Sequence, residues 1–160
     1  MSFKAKMKQI DKKEFKDVKI HPSFISAQYN PDRFHLWKKT CVNVADDNFL
    51  HMRYSPHVNF LKLFEQHGGT LKGQLEGTNY YKMHRNYGKS DDWTKNKIKT
   101  FLSIYKDIKS NGIKEPPIIL TGPIVKNPYN GSYEIFEGHH RCAIALFLEM
   151  PIIKCKLKTV

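Results

Sequence analysis

Apolar residues recur at helical spacing through the middle of the chain and cluster in short runs towards its end. Between residues 55 and 69, Val58, Leu61 and Phe64, with Phe60 and Leu63 beside them, form one stripe. Ser55 and Pro56 supply an N-cap and a first helical residue, and Gly68-Gly69 supplies a stop. A short helix is predicted over 78–87, with Tyr80, Met83 and Tyr87 aligned and Gly88 behind it. A third begins at Ser90, where Asp91 and Asp92 complement the positive helix end. Ile98, Phe101, Leu102, Tyr105 and Ile108 carry it to Asn111-Gly112.

The short runs read as strands. Residues 41–54 show a weak strand pattern, Cys-Val-Asn-Val and Phe-Leu-His-Met, around a polar Ala-Asp-Asp-Asn turn. Residues 117–120 and 133–136 are predicted strands separated by a hairpin or loop rich in Pro, Asn and Gly. Gly138 marks a sharp break, 142–148 a compact apolar helix, and 151–157 a closing strand that alternates apolar residues with lysine. The fold class is therefore α/β (α+β): a small mixed sheet flanked by helices, with a helical N-terminal half. Residues 1–40, lysine-rich and poor in apolar positions, are expected to form a basic arm or peripheral segment beside a domain over 41–160.

Composition adds limits. With 160 residues the chain is long enough for one real core. No apolar run approaches the roughly 20 residues of a membrane span, and the first ten residues lack a signal-peptide core. Cys41, Cys142 and Cys155 form neither a metal-ligand spacing nor a disulfide framework, so a cytoplasmic setting is expected. Lys+Arg 27 against Asp+Glu 15 gives a net charge of +12, which suits polyanions and equally suits a lysine-rich solvated surface. The surplus is dispersed over residues 1–20, 70–114 and the last ten, and no block of five basic residues occurs. Charge alone does not name a ligand.

The segment 136–145, Phe-Glu-Gly-His-His-Arg-Cys-Ala-Ile-Ala, carries the most specific chemistry. Gly138 lets the backbone pass close to a ligand, and the N–H groups that follow point out of a helix start. His139, His140 and Arg141 place three potential cations there, against the helix dipole, as an anion site would require. Arg141 can grip phosphate oxygens as a fork, His140 can donate or shuttle a proton, and Glu137 suits general base work or contact with magnesium. The plainer alternative is an Arg141–Glu137 ion pair with half-buried histidines.

In this frame the chain resembles the ParB N-terminal domain of the ParB/sulfiredoxin fold. The resemblance runs from about residue 105 to 157, through Ser110-Asn111-Gly112, Pro116-Pro117-Ile118-Ile119, Glu137-Gly138-His139-His140-Arg141, Ala143 and Pro151. Locally it is similar to the free-serine kinases of that fold, which carry an acidic residue before Gly-His-His-Arg. The resemblance implies phosphates held by the turn Gly138, His139, His140 and Arg141, with Glu137 as the acid near the acceptor hydroxyl; His140 joins Glu137 as a catalytic candidate because either histidine can donate or shuttle a proton. It implies magnesium with a nucleotide (ATP, ADP or CTP), and transfer or hydrolysis of its phosphate. ParB itself carries Gly-Glu-Arg-Arg here, and the nine residues after Pro151 leave no room for its helix-turn-helix reader. Sulfiredoxins carry their catalytic cysteine where this chain has His139.

Two other classes follow from the same residues: a ParB-like DNA-binding or nuclease domain, and a non-catalytic nucleotide-binding adaptor. Tyr80, Tyr81 and Arg85, beside His84 and Tyr87, mix aromatic and basic groups that can stack on a base and touch phosphates. The same spacing also serves the core face of a short helix. Trp37 and Trp93 are expected as core or lid anchors, and Lys95, Lys97 and Lys99 as a solvated face. The expected partner is thus a nucleotide or phosphorylated small molecule, with nucleic acid as the rival and no membrane.

Overall fold

The three predicted helices form where their caps place them. In the computed structural model, which describes residues 2–41, 50–122 and 133–160, Ser55 Oγ accepts the Val58 N–H at the start of α3 (Pro56–Gln66). Thr78 Oγ1 accepts the Tyr81 N–H ahead of α4 (Asn79–Asn86), and Ser90 Oγ the Trp93 N–H ahead of α5 (Asp91–Asn111). Gly112, at φ 76°, ends α5 in a conformation that L side chains rarely adopt. Two earlier helices, α1 (Phe3–Asp11) and α2 (Phe34–Thr40), have few apolar residues to announce them.

Five strands make one mixed sheet in the order β1-β5-β3-β4-β2: β1 (Lys16–Ile20), β2 (Ile25–Ser26), β3 (Ile118–Thr121), β4 (Tyr133–Glu137) and β5 (Ile153–Thr159). β3 pairs parallel with β5 and antiparallel with β4, while β2 adds parallel to β4. The fold is therefore mixed α/β (α+β), as expected from the sequence. The last helix, α6 (His139–Phe147), starts three residues before the predicted 142, because Gly138 adopts the left-handed conformation and takes the N-cap position.

The basic segment 1–40 is part of this architecture and not a separate arm. β1 pairs antiparallel with β5 from Lys16↔Leu157 to Ile20↔Ile153, and β2 bonds to β4. Only Ile20 of β1 is buried, as befits an edge strand, so its apolar pattern is too thin to read in isolation. The expected strand pattern over 41–54 forms only an isolated Ser26↔His51 bridge among its described residues. Met52–Tyr54 is a 3-10 turn, capped by His51 Nδ1, which accepts the Arg53 N–H. The rest of that pattern, 42–49, and the Pro/Asn/Gly-rich segment 123–132 lie outside the described residues.

The core sits between the sheet and helices α3, α4, α5 and α6. Phe60, Tyr80, Phe101, Ile119, Ile135 and Ile144 are fully buried there. Truncating Phe60 or Phe101 to alanine would cost about 3–5 kcal/mol through lost contacts and the cavity left behind.

Candidate functional site

The strand–glycine–helix segment opens on a cleft of about 780 Å³. Residues 136–141 form one side of it. α2 contributes Phe34 and Trp37, α3 His57, α4 Met83 and His84, and α5 Lys97, Ile104, Asp107 and Ile108. Two stretches of loop complete it, Gln28 to Arg33 and Ile113 to Glu115. The segment named by the sequence is thus brought together with residues from every helix except α1.

Gly138 is required twice over. Its φ of +108° disfavours any side chain, and a Cβ there would lie 3.0 Å from Pro117 Cβ and 3.1 Å from Arg141 Nη2. Arg141 can fold back only because that space is open. Its Nη1 donates to the Glu115 carbonyl at 2.6 Å, tying the loop before β3 to the start of α6. Its Nη2 lies 4.0 Å from Glu137 Oε1, the outer limit of an ion pair, and the Glu137 carboxylate is largely exposed. Of the plainer alternative only a marginal ion pair forms: one Arg141 nitrogen is spent on the fold, and Glu137 does not close the fork. Being glycine, Gly138 offers α6 no side-chain cap.

The three-cation picture needs correction. Burial pushes the His139 pKa down to about 4. His140 is pushed to about 3, by burial first and then by Lys97 and neighbouring imidazoles. Both rings are neutral near pH 7, so Arg141 alone of the three carries charge. One nitrogen of each ring is also engaged. His139 Nε2 accepts the Gln28 backbone N–H at 3.1 Å, which places the ring proton on Nδ1. His140 Nε2 lies 2.7 Å from the Tyr80 hydroxyl. Tyr80 is fully buried and its phenol proton needs an acceptor, so Tyr80 donates and His140 keeps its proton on Nδ1. A ring held neutral down to about pH 3 is a poor proton shuttle, and His140 is better described as a positioning residue.

Behind these two lie two more histidines: His57, to which no sequence pattern assigns a role, and His84, from the aromatic–basic group of α4. His57, 5 % exposed, stacks against His139 at 6.1 Å and meets the edges of Tyr80 and His140 at 5.1 and 5.3 Å. His84, 9 % exposed, stands edge-on to Tyr80 at 4.8 Å and to Trp93 at 5.2 Å. Among the described residues, His57 Nδ1 and His84 Nε2 have no hydrogen-bond partner. Burial pushes both pKa values down, that of His84 to about 4. Spacing within one helix could not have found this cluster, which joins residues of α3, α4 and α6. No three His, Cys, Asp or Glu side chains among the described residues are arranged to hold a metal ion.

The other candidates divide. Tyr80 cannot stack on a base, because it is core: its ring packs against Phe60, Phe101 and His57. Tyr81 is also buried, and its hydroxyl donates to Asp91 Oδ1 at 2.5 Å. Arg85 is exposed and donates to the Tyr81 hydroxyl at 3.4 Å; neither it nor the two tyrosines line the cleft. Of the lysines expected on one solvated face, Lys95 bridges Glu76 and Asp91 and Lys99 is exposed, but Lys97 lines the cleft. It lies four residues from Trp93 and from Phe101 along α5, and Phe101 packs against His140 at 4.5 Å. Trp37 lines the cleft, whereas Trp93 is 39 % exposed between Lys89 and Lys97.

All three cysteines are free thiols. Burial raises the pKa of each, Cys41 to about 12, so none is a ready nucleophile. None of the described helices is long and apolar enough to cross a membrane. Comparison with protein-family models, with curated proteins and with solved structures gave no match to this chain.

Proposed function

We propose that this chain is a cytoplasmic ParB/sulfiredoxin-like domain that binds a nucleotide phosphate at 138–141 and transfers or hydrolyses it. One observation carries the reading: the start of α6, with no side-chain cap, opens beside Arg141 into a cleft of about 780 Å³, a volume suited to a nucleotide. The free N–H groups and the remaining Arg141 nitrogens would hold phosphate oxygens. Glu137, exposed at the rim, would accept the proton of the attacking hydroxyl or water. His139 and His140 would hold the turn through Nε2, bonded to the Gln28 N–H and to the Tyr80 hydroxyl, and Nδ1–H of each ring would be left to donate to phosphate oxygens. A magnesium ion would arrive with the nucleotide and offset phosphate charge, since Glu137 is a single carboxylate and no protein cage exists among the described residues.

Isothermal titration with ATP, ADP and CTP in magnesium tests the reading. Binding that Arg141→Ala weakens at least tenfold, and turnover that Glu137→Gln lowers about a hundredfold with binding kept, are the expected results. Absence of heat with all three nucleotides overturns it. A non-catalytic adaptor would bind and leave the nucleotide intact over hours. The nucleic-acid or nuclease reading now rests on the +12 charge without Tyr80 and Tyr81 as stacking residues, and predicts DNA affinity that falls steeply with salt.

A further inference from the structure

The cleft has a wall that phosphate binding at 138–141 does not use. Arg33, at the N-cap of α2, His84 of α4 and Lys97 of α5 line it together. The Arg33 guanidinium lies 4.7 Å over the Tyr87 ring, and Lys97 Nζ lies 5.9 Å from Trp93, whose ring also holds Lys89 at 4.8 Å. Among the described residues no carboxylate pairs with Arg33, Lys89 or Lys97. The acidic groups of the cleft lie elsewhere: Asp107 is paired with Lys114, Glu137 faces Arg141, and Glu115 is exposed. His84 shares this wall with Arg33 and Lys97, and its Nε2 is buried and unpartnered among the described residues. After burial itself, the charges of Lys97, Lys89 and Arg33 are what keep that ring neutral. Lys97 acts on His57 and His140 as well, so its charge is felt across the cleft.

Three cations gathered without a carboxylate around a buried imidazole repel one another unless an anion sits among them. A neutral imidazole is compatible with such an anion, because it can present Nε2–H as a donor without adding charge. We propose that Arg33, Lys97 and His84 form a second anion subsite, so that the ligand of this cleft carries two anionic groups, as a nucleoside diphosphate or triphosphate does. The inference rests on the nucleotide reading for the first group, at the start of α6, and adds the place of the second. Lys89 and the half-exposed Trp93 extend the subsite towards solvent.

ADP and AMP titrated into wild type, Lys97→Gln and Lys99→Gln test the subsite. Lys99 is the control, since it removes the same charge from an exposed position two residues away. Lys97→Gln is expected to weaken ADP about tenfold or more and AMP less than about threefold, with Lys99→Gln changing either by less than about twofold. Equal losses in the two variants overturn the subsite. If Arg141→Ala still abolishes ADP binding in that case, phosphate binding at 138–141 stands and only the second subsite falls. Inorganic pyrophosphate gives a readout independent of nucleotide. It is expected to move the His84 imidazole nitrogen signals in wild type and not in Lys97→Gln, and an unmoved His84 overturns the proposal. Movement of His84 with no nucleotide bound would keep the anion subsite and remove the nucleotide reading. A single-stranded oligonucleotide that binds through Lys97 where ADP does not would overturn the choice of a small ligand. Melting curves by circular dichroism confirm that each variant is folded.

Discussion

Four histidines meet in the cleft, and they form two unlike pairs. His139 and His140 are adjacent in the most specific segment of the sequence, and each has a bonded nitrogen, to the Gln28 N–H and to the Tyr80 hydroxyl. His57 and His84 come from separate helices without any motif, and each buries a nitrogen with no partner among the described residues. The motif histidines therefore tie the site together through their bonded nitrogens, whereas His57 and His84 each keep a nitrogen with capacity for something else. A buried polar atom without a partner costs about 1–3 kcal/mol in an empty site, and a function that uses it is the usual reason to keep it.

Acid should show the largest effect, and it tests both pairs at once. All four rings have folded pKa values below the ordinary histidine value. The unfolded chain therefore binds more protons than the folded one from about pH 6.5 down to about 4. Stability should be complete above pH 6.5 and fall below it, by up to about 1.4 kcal/mol per pH unit for each imidazole. Denaturant melts at pH 7, 6, 5 and 4 measure this; a flat profile would show that the rings titrate alike in the folded and unfolded chain.

Gly138→Ala comes next, with an expected loss of about 2–3 kcal/mol from the left-handed backbone and from contacts with Pro117 and Arg141. A midpoint unchanged in urea would mean that the turn can relax. Tyr80→Phe should cost about 1–2 kcal/mol, since it removes the partner of His140 and leaves that nitrogen unsatisfied in the core. The smallest effect has the opposite sign. His57→Phe should leave stability unchanged or raise it by up to about 1 kcal/mol, because it removes an unpartnered nitrogen from an aromatic cluster. A large destabilisation by His57→Phe would erase the distinction between the two pairs.

The same contrast explains what was legible in the sequence. α3, α4 and α5 announce themselves because each carries its own cap and several turns of apolar periodicity, all within one stretch of chain. Gly138 is equally local, since a break between strand and helix demands it. β1 and β2 are not legible, because their identity comes from residues more than a hundred positions away, and Lys16, Asp17 and Lys19 conceal the little apolar pattern there is. The protonation of His139 and His140 was misread for a related reason. Their position at a helix start suggests charge, but the aromatic packing that removes it is supplied by Trp37 of α2, Tyr80 of α4 and Phe101 of α5. Lys97 was hidden by its neighbours, since Lys95 and Lys99 are surface residues and only the spacing to Trp93 and Phe101 sets it apart.

The sheet order also dictates a sequence of events in time. β5 stands between β1 and β3, and among the described strands β1 has no other neighbour. A ribosome emits residues 16–20 long before residues 153–159, so β1 lacks its partner until β5 emerges, while α3, α4 and α5 can form from local contacts. Lys158 Nζ, which donates to the Asp11 carbonyl at 2.8 Å, fastens the end of α1 to β5 as well. β1 is therefore seated only once β5 has formed, and its lysines keep the unpaired edge soluble until then.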